Sequence, residues 1–301
     1  MSTLYPATDR SAPRAAHAAR STRLRTLLQR AALYALAIAG AAVFIVPLVW
    51  MILTALKTHQ EVYTFPPQLL PHTPRWSNFR DAWTTFDFTR YTFNTVVITG
   101  LTIIGVLATS SLCAFGFARL RFAGSNFLFL CVLASVMLPQ QVTLIPLYII
   151  FKQLHWLDSF LPLVVPPWFG GGALNIFLLR QFFKTLPREL DEAARIDGCT
   201  TFGIFWRIAL PLAKPALAVV AIFQFNATWT DFLGPLIYLN SPDHFTLALG
   251  VYSFQSQMLT GVSHEELMMA IALVMVVPIA LVFLVAQRYM VRGVVLTGLK
   301  G

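Results

Sequence analysis

Charge is scarce in this sequence. Lysine, arginine, aspartate and glutamate make up 12% of 301 residues, against about 25% in a soluble globular domain. A chain so poor in charge, 57% hydrophobic and with a mean hydropathy of +0.67, has too little polar surface to coat a water-soluble body. Cysteine is nearly absent: Cys113, Cys131 and Cys199 make no disulfide framework and are read as small packing residues. No GxxxxGK phosphate loop followed by Ser or Thr occurs, and "FGGGALN" has glycines without the lysine, so this chain is not expected to hydrolyse ATP by itself. "SHEELMM" lacks the second histidine of HExxH; no metal is expected there, and the segment reads as a solvated outer loop. No cluster of nucleophile, base or metal ligands stands within the apolar stretches, so no catalytic residue is expected and a membrane enzyme is disfavoured.

What is present is long apolar sequence. A helix needs about 20 apolar residues to cross the hydrocarbon core. Five runs qualify, Ala31 to Leu56, Tyr91 to Ala118, Phe122 to Phe151, Ser159 to Leu179 and Leu267 to Gln287, and a sixth, Pro215 to Pro242, is interrupted by Asp231. Backbone groups in lipid must be satisfied within the segment, and these runs lack the alternation of barrel strands. The expected fold is an all-α membrane protein with six transmembrane helices. Residues 1–25 are expected to form a disordered basic tail and residues 26–301 the six-helix domain. The first run is too long for a cleaved signal, and a transit peptide is the competing reading of the Arg-rich leader.

The net charge of +9 is unevenly spread. With an even number of spans and both termini inside, 17 basic residues fall on inner segments and 5 on outer ones. That asymmetry is the positive-inside pattern, so both termini are expected in the cytoplasm, and nucleic acid is not an expected partner.

Two features suggest a pathway. The fourth run holds Pro162, Pro166, Pro167 and Gly170 to Gly172, which should break or kink its helix. Irregular backbone at membrane depth is tolerated where protein or a water-filled cavity covers it; a kink that merely fits neighbouring helices is the alternative. Asp231 is the lone acid within a run, and such residues usually face a cavity or a partner. Asn226, Thr230 and Gln224 make no clean polar stripe with it. Asn226, Trp229 and Asp231 are the candidate pathway residues. Trp229, Trp168 and Tyr148 are of the kind that stack on sugar rings, and are also ordinary at membrane interfaces.

The densest charge in the chain lies in the loop 184–214. Pro187 suits a first helical position, Glu189, Asp191 and Glu192 suit the positive end of a helix dipole, and Gly198 suits a left-handed cap. Ala193 and Ala194 are expected to form a flat contact area ringed by Glu189, Glu192 and Arg195. Phe202, Phe205, Trp206 and Ala209 then follow the spacing of an apolar helix face that should lie against the spans, up to Pro211.

"EAARIDGCTTFGIFWRIALPLAKP" resembles the signature loop of permease subunits of binding-protein-dependent ABC importers: EAA, three residues, Gly, nine residues, Ile, then Leu-Pro. Glu192, Ala193, Ala194 and Gly198 match its front, and Ile208, Leu210 and Pro211 its back. "NATWTDFLGPLIYL", "FTLALGVYSFQSQ" and the C-terminal tail are similar to the shorter subunit of the maltose-type pair, with Thr230 where Asn is common. The resemblance implies a permease, not an enzyme, for a sugar or sugar-like solute. It implies that Glu192, Ala193, Ala194, Asp197, Gly198, Leu210 and Pro211 couple the chain to a cytoplasmic ABC ATPase dimer. A second permease subunit and an extracytoplasmic solute-binding protein would complete the assembly. No cofactor is expected in this chain, since ATP and magnesium would sit in the ATPase. A glycerol-3-phosphate or polyol phosphate permease of the same family is the alternative; a proton-coupled secondary transporter using Asp231 is weaker, with one buried acid and no inverted repeat.

Overall fold

The computed structural model describes residues 12–85, 87–258 and 263–298, and among them every regular element is helical. A backbone in lipid has no water to bond, so it satisfies its own donors and acceptors. Helix α1 (Ala12–Ala55) carries the first apolar run. It starts at Ala12, within the stretch expected to be a basic tail, and residues 1–11 lie outside the described ones. None of the most apolar window of α1 is buried within the chain, so lipid or another subunit must cover it.

The segment after α1 holds α2 (His59–Val62) and α3 (Ser77–Thr85), and the proline-rich stretch between them forms no element. It is still tied down. Asn78, 1% exposed, donates its Nδ2 to the Ala55 carbonyl at 2.9 Å and to the Lys57 carbonyl at 2.7 Å, satisfying acceptors left open where α1 ends.

Helix α4 (Phe88–Arg119) is the axis of the bundle, 32 residues, or about 48 Å at ~1.5 Å per residue. Its buried face is small and weakly polar, including Thr95, Thr99, Thr102, Gly105, Ser110 and Ala114. Such residues let membrane helices approach closely where burial against lipid supplies little drive. At Gly105 the approach is closest: a Cβ there would come 2.2 Å from the Trp168 ring, whose Nε1 donates to the Leu101 carbonyl at 3.1 Å.

Two expected crossings are discontinuous. Phe122 to Phe151 splits into α5 (Ser125–Ser135) and α6 (Gln140–Gln153) around Pro139, which offers no N–H. The 11 residues of α5 reach roughly 16 Å, about half the hydrocarbon core. The run from Pro215 to Pro242 likewise ends one helix at Trp229 and begins another at Leu233. The break expected in the fourth run is present. Helix α7 (Leu161–Gly170) and α8 (Ala173–Thr185) meet at Gly171 and Gly172, with φ of 57° and 79°.

Next come α9 (Glu189–Ile196) and a rod of α10 (Thr201–Ile204), a π turn (Phe205–Ala209) and α11 (Leu210–Leu212). The rod bends by 76° into α12 (Lys214–Trp229). After α13 (Leu233–Tyr238) and α14 (Leu247–Met258), α15 (Glu265–Gly298) closes the described chain. By length and composition, Leu27–Ala55, Phe88–Arg119, Leu161–Thr185 and Glu265–Gln287 are long enough to cross, and the bent pair makes a fifth if taken as one span. The head of α15 departs from the solvated loop expected for "SHEELMM": Glu266 is 3% exposed.

Two apolar cores sit at opposite ends of α4. One gathers Ala114, Phe115, Phe183, Ala194 and Phe205; the other gathers Phe88, Tyr91, Trp229, Phe254 and Ile271.

Candidate coupling surface and central cleft

The short helix α9 forms as its sequence dictates. Glu189, Asp191 and Glu192 occupy the first turn, where unpaired N–H groups favour negative charge. Its end is a Schellman motif: Gly198 N–H donates to the Arg195 carbonyl at 3.0 Å and Cys199 N–H to the Ala194 carbonyl at 2.9 Å. Gly198 adopts φ 80°, the left-handed conformation the motif needs. Thr200 then caps α10, its Oγ1 accepting the Gly203 N–H at 3.1 Å.

Glu192, Ala193, Asp197 and Gly198 are exposed together, so the structure brings four of the expected coupling residues to one outward surface. Ala194 is a correction: it is 5% exposed and packs inward with Phe115, Phe183 and Phe205, leaving only Ala193 of the alanine pair outside. The large apolar group on the outward face is Ile196, 87% exposed, which the sequence reading overlooked. Residues 189, 192, 193 and 196 follow the i, i+3, i+4, i+7 spacing of one helix face. In the rod, Pro211 is exposed and Leu210 half-buried. The expected aromatic stripe divides: Phe205 and Ala209 are buried, whereas Phe202 and Trp206 stay exposed and stack on each other at 6.4 Å. The π turn, in which Leu210 N–H reaches the Phe205 carbonyl, adds a residue per turn and shifts the register.

Arg119 ties this surface to α4. Its side chain is 5% exposed; Nη2 donates to the Leu186 carbonyl at 2.9 Å and Nη1 lies 3.4 Å from Asp191 Oδ2. Arg180 braces the same region, its Nε donating to the Phe117 carbonyl at 3.3 Å and its guanidinium lying 3.8 Å over the Phe129 ring. The signal for Arg119 lay in "ARLRF", a basic residue ending one crossing opposite an acidic loop.

A cleft of about 350 Å³ opens among α4, α6, α7, α12 and α13. Pro166 and Pro167 line it and offer no N–H, so the carbonyls of Pro162 and Leu163, also in its wall, lack their usual helical donors. Thr102 from α4 adds a buried Oγ1 without a hydrogen-bond partner. Asp231 lies at the wall, as expected, but in the break between helices, where its Oδ1 accepts the Gly234 N–H at 3.2 Å.

The other two pathway candidates lie elsewhere. Trp229 is 4% exposed, stacks on Phe225 at 5.3 Å and donates Nε1 to the Met275 carbonyl at 3.1 Å, locking α12 to α15. Asn226 is outside the cleft lining, and its carbonyl accepts the Thr230 hydroxyl at 2.7 Å. Gln224 and Thr228 take their place, with Gln224 Nε2 donating to Thr228 Oγ1 at 2.9 Å. Positions 224, 228 and 231 do make a polar stripe, at i, i+4 and i+7. No basic residue is among those lining the cleft.

The model of the family described as "Binding-protein-dependent transport system inner membrane component" matches residues 107–296. Over 212 residues the chain is 36% identical to the arabinooligosaccharides transport system permease protein AraQ of Bacillus subtilis, covering 70% of this chain and 74% of that protein. It is 33% identical over 264 residues to the sn-glycerol-3-phosphate transport system permease protein UgpE of Pectobacterium atrosepticum, covering 86% and 93%. A chain of a solved bacterial ABC transporter involved in import of the acidic polysaccharide alginate shares the fold, with a TM-score of 0.75 at 20% identity over 96% of this chain and 99% of that one.

Proposed function

Since this chain belongs to the family of inner-membrane components of binding-protein-dependent transport systems, we propose that it is the permease subunit of an ABC importer for a neutral carbohydrate. Its α9 hands the work of a cytoplasmic ATPase dimer to the spans. ATP and magnesium belong to that ATPase, and this chain needs no cofactor. The observation that carries the coupling role is α9: a capped helix with an exposed acidic and apolar face, fixed at its base by Arg119. Glu192, Ala193, Ile196, Asp197 and Gly198 form its contact face, Ala194 keys it to the bundle, and Leu210 and Pro211 belong to the supporting rod.

Pairing α5 with α6 and α12 with α13 as broken crossings supports six spans, and an even count puts both termini on the α9 side. The uncovered apolar flank of α1 is suited to lipid or to a second permease. An extracytoplasmic binding protein would deliver solute at the end of the bundle opposite α9.

Asp231, Gln224, Thr228 and the proline-freed carbonyls of α7 form this subunit's share of the solute path. Hydroxyls of a sugar both donate and accept, which suits carboxylate, amide and carbonyl groups. A phosphate-bearing solute is the second reading, favoured by the likeness to UgpE. An acidic wall without a cation weighs against it. The test is ATP-driven uptake into vesicles holding the whole transporter and its binding protein. Uptake of an oligosaccharide without uptake of glycerol-3-phosphate supports the first reading; the reverse overturns it, and solute movement without any ATPase overturns the coupling role.

A further inference from the structure

The end of the bundle farthest from α9 carries a side-chain cluster that solute transport leaves unused. His59 opens α2, where Thr58 and Glu61 form a capping box. His264 directly precedes α15, and Glu266 lies in its first turn. One donor atom from each of the three lies within 4.8 Å of the others. His264 Nδ1 is 3.0 Å and His59 Nδ1 3.5 Å from the same Glu266 Oε1. The backbone holds the two segments together independently, since Tyr63 Oη donates to the Ser263 carbonyl at 3.2 Å.

The two imidazole–carboxylate distances match a known coordination geometry, and the imidazole pair lies within 4.8 Å. Ligand atoms bound at about 2.0–2.1 Å around a tetrahedral zinc-type ion stand about 3.3 Å from one another. The Glu266 side chain is 4% exposed, its Oε2 has no hydrogen-bond partner, and neither has the buried His59 Nδ1. A carboxylate taken out of water needs compensating charge, and Glu266 forms its ion pairs with two imidazoles, which bring positive charge only when protonated. A divalent cation supplies that charge at neutral pH and uses the open lone pairs.

We propose that His59, His264 and Glu266 form a site for one divalent transition-metal ion of the zinc class, clipping the segment after α1 to the head of α15. Two imidazoles and one carboxylate suit zinc, cobalt and nickel, while magnesium and calcium favour all-oxygen sets. Three protein ligands leave a fourth position for water. The HExxH pattern fails in "SHEELMM" because its second imidazole comes from position 59 in space and not from the same helix.

The test is a titration of the tag-free, chelator-stripped full-length chain in detergent with cobalt(II). The expected result is a visible d–d absorption saturating at one equivalent, displaced by zinc, with zinc raising the melting temperature. Removing a ligand should weaken cobalt binding at least about tenfold in both His59→Ala and Glu266→Gln. Absence of a saturable band, or a band unchanged in both variants, overturns the site. If Glu266→Gln fails to fold, His59→Ala carries the test, since that side chain is 36% exposed and tolerates truncation.

Discussion

Arg119, the last residue of α4, reaches across to Asp191 in the first turn of α9, with 3.4 Å between Nη1 and Oδ2 and both side chains largely out of solvent. This contact ties the end of the central helix to the base of α9. The Nη2 bond to the Leu186 carbonyl fixes the segment entering α9 as well.

Arg119→Gln should therefore uncouple the transporter without blocking membrane insertion. Removing one partner of a buried pair costs about 3 kcal/mol or more. Expected outcomes are a lower melting temperature and loss of binding-protein-stimulated ATP hydrolysis; stimulation at the wild-type level would dismiss the strut.

Gly198 tests backbone conformation apart from crowding. A Cβ added there meets nothing within 4 Å, so any effect comes from φ 80°. A left-handed non-glycine residue costs roughly 1–2 kcal/mol, less for Asn. Coupled ATP hydrolysis should fall in the order Gly, Asn, Ala, Val; equal activity across that series would remove the Schellman cap from the mechanism.

Glu192→Lys places the wrong charge in the first turn of α9 and on its outward face. Stimulated ATP hydrolysis should fall sharply while the melting temperature stays nearly unchanged, because an exposed charge does little for stability. A large thermal loss would instead assign Glu192 to the fold.

The cleft predicts a division of labour along α12. Asp231→Asn and Gln224→Leu should change the uptake KM or solute preference, whereas Trp229→Phe should lower thermal stability and leave preference alone. The indole it removes bonds to Met275 outside the cleft. Identical selectivity in all three variants would separate the cleft from the solute path.

Asp158 predicts a pH dependence. Burial pushes its carboxyl up, but the Ser241 hydroxyl, the Ser241 and Asn240 N–H groups and His244 outweigh burial and hold it well below the usual carboxylate range. A depressed carboxyl stabilises the fold fully above its unfolded value of about 3.9 and loses that contribution as pH falls toward the folded value. Wild type should melt above Asp158→Asn from pH 7 down to about pH 4, with the gap closing on further acidification. A gap that widens in acid would reverse the assignment.

The outline of the loop 184–214 was legible in its local signals. The acidic first turn answers to the local helix dipole and Gly198 to bonds within five positions, so their spacing already contains the geometry; Pro187, expected at a first helical position, instead precedes the N-cap Arg188. The break at Gly171 and Gly172 was legible for the same reason. Asp231 was found because a lone carboxylate in an apolar run must face something polar. Gln224 and Thr228 were missed because Asp231 was weighed against Asn226 and Thr230, although 224, 228 and 231 share one side at i, i+4 and i+7 and line the cleft together.

By itself the sequence determined a helical membrane chain, the position of its charged loop and the caps that shape it. Those properties follow from hydrocarbon thickness, the 3.6-residue period and the conformational preferences of single residues. Only the tertiary structure decided which side of each helix is covered: Ala194 inward and Ala193 outward, Trp229 against Met275, Arg119 against Asp191, His59 beside Glu266. Each depends on which distant segment packs alongside, and packing is settled by the shapes of both partners together, which neither segment's local pattern contains.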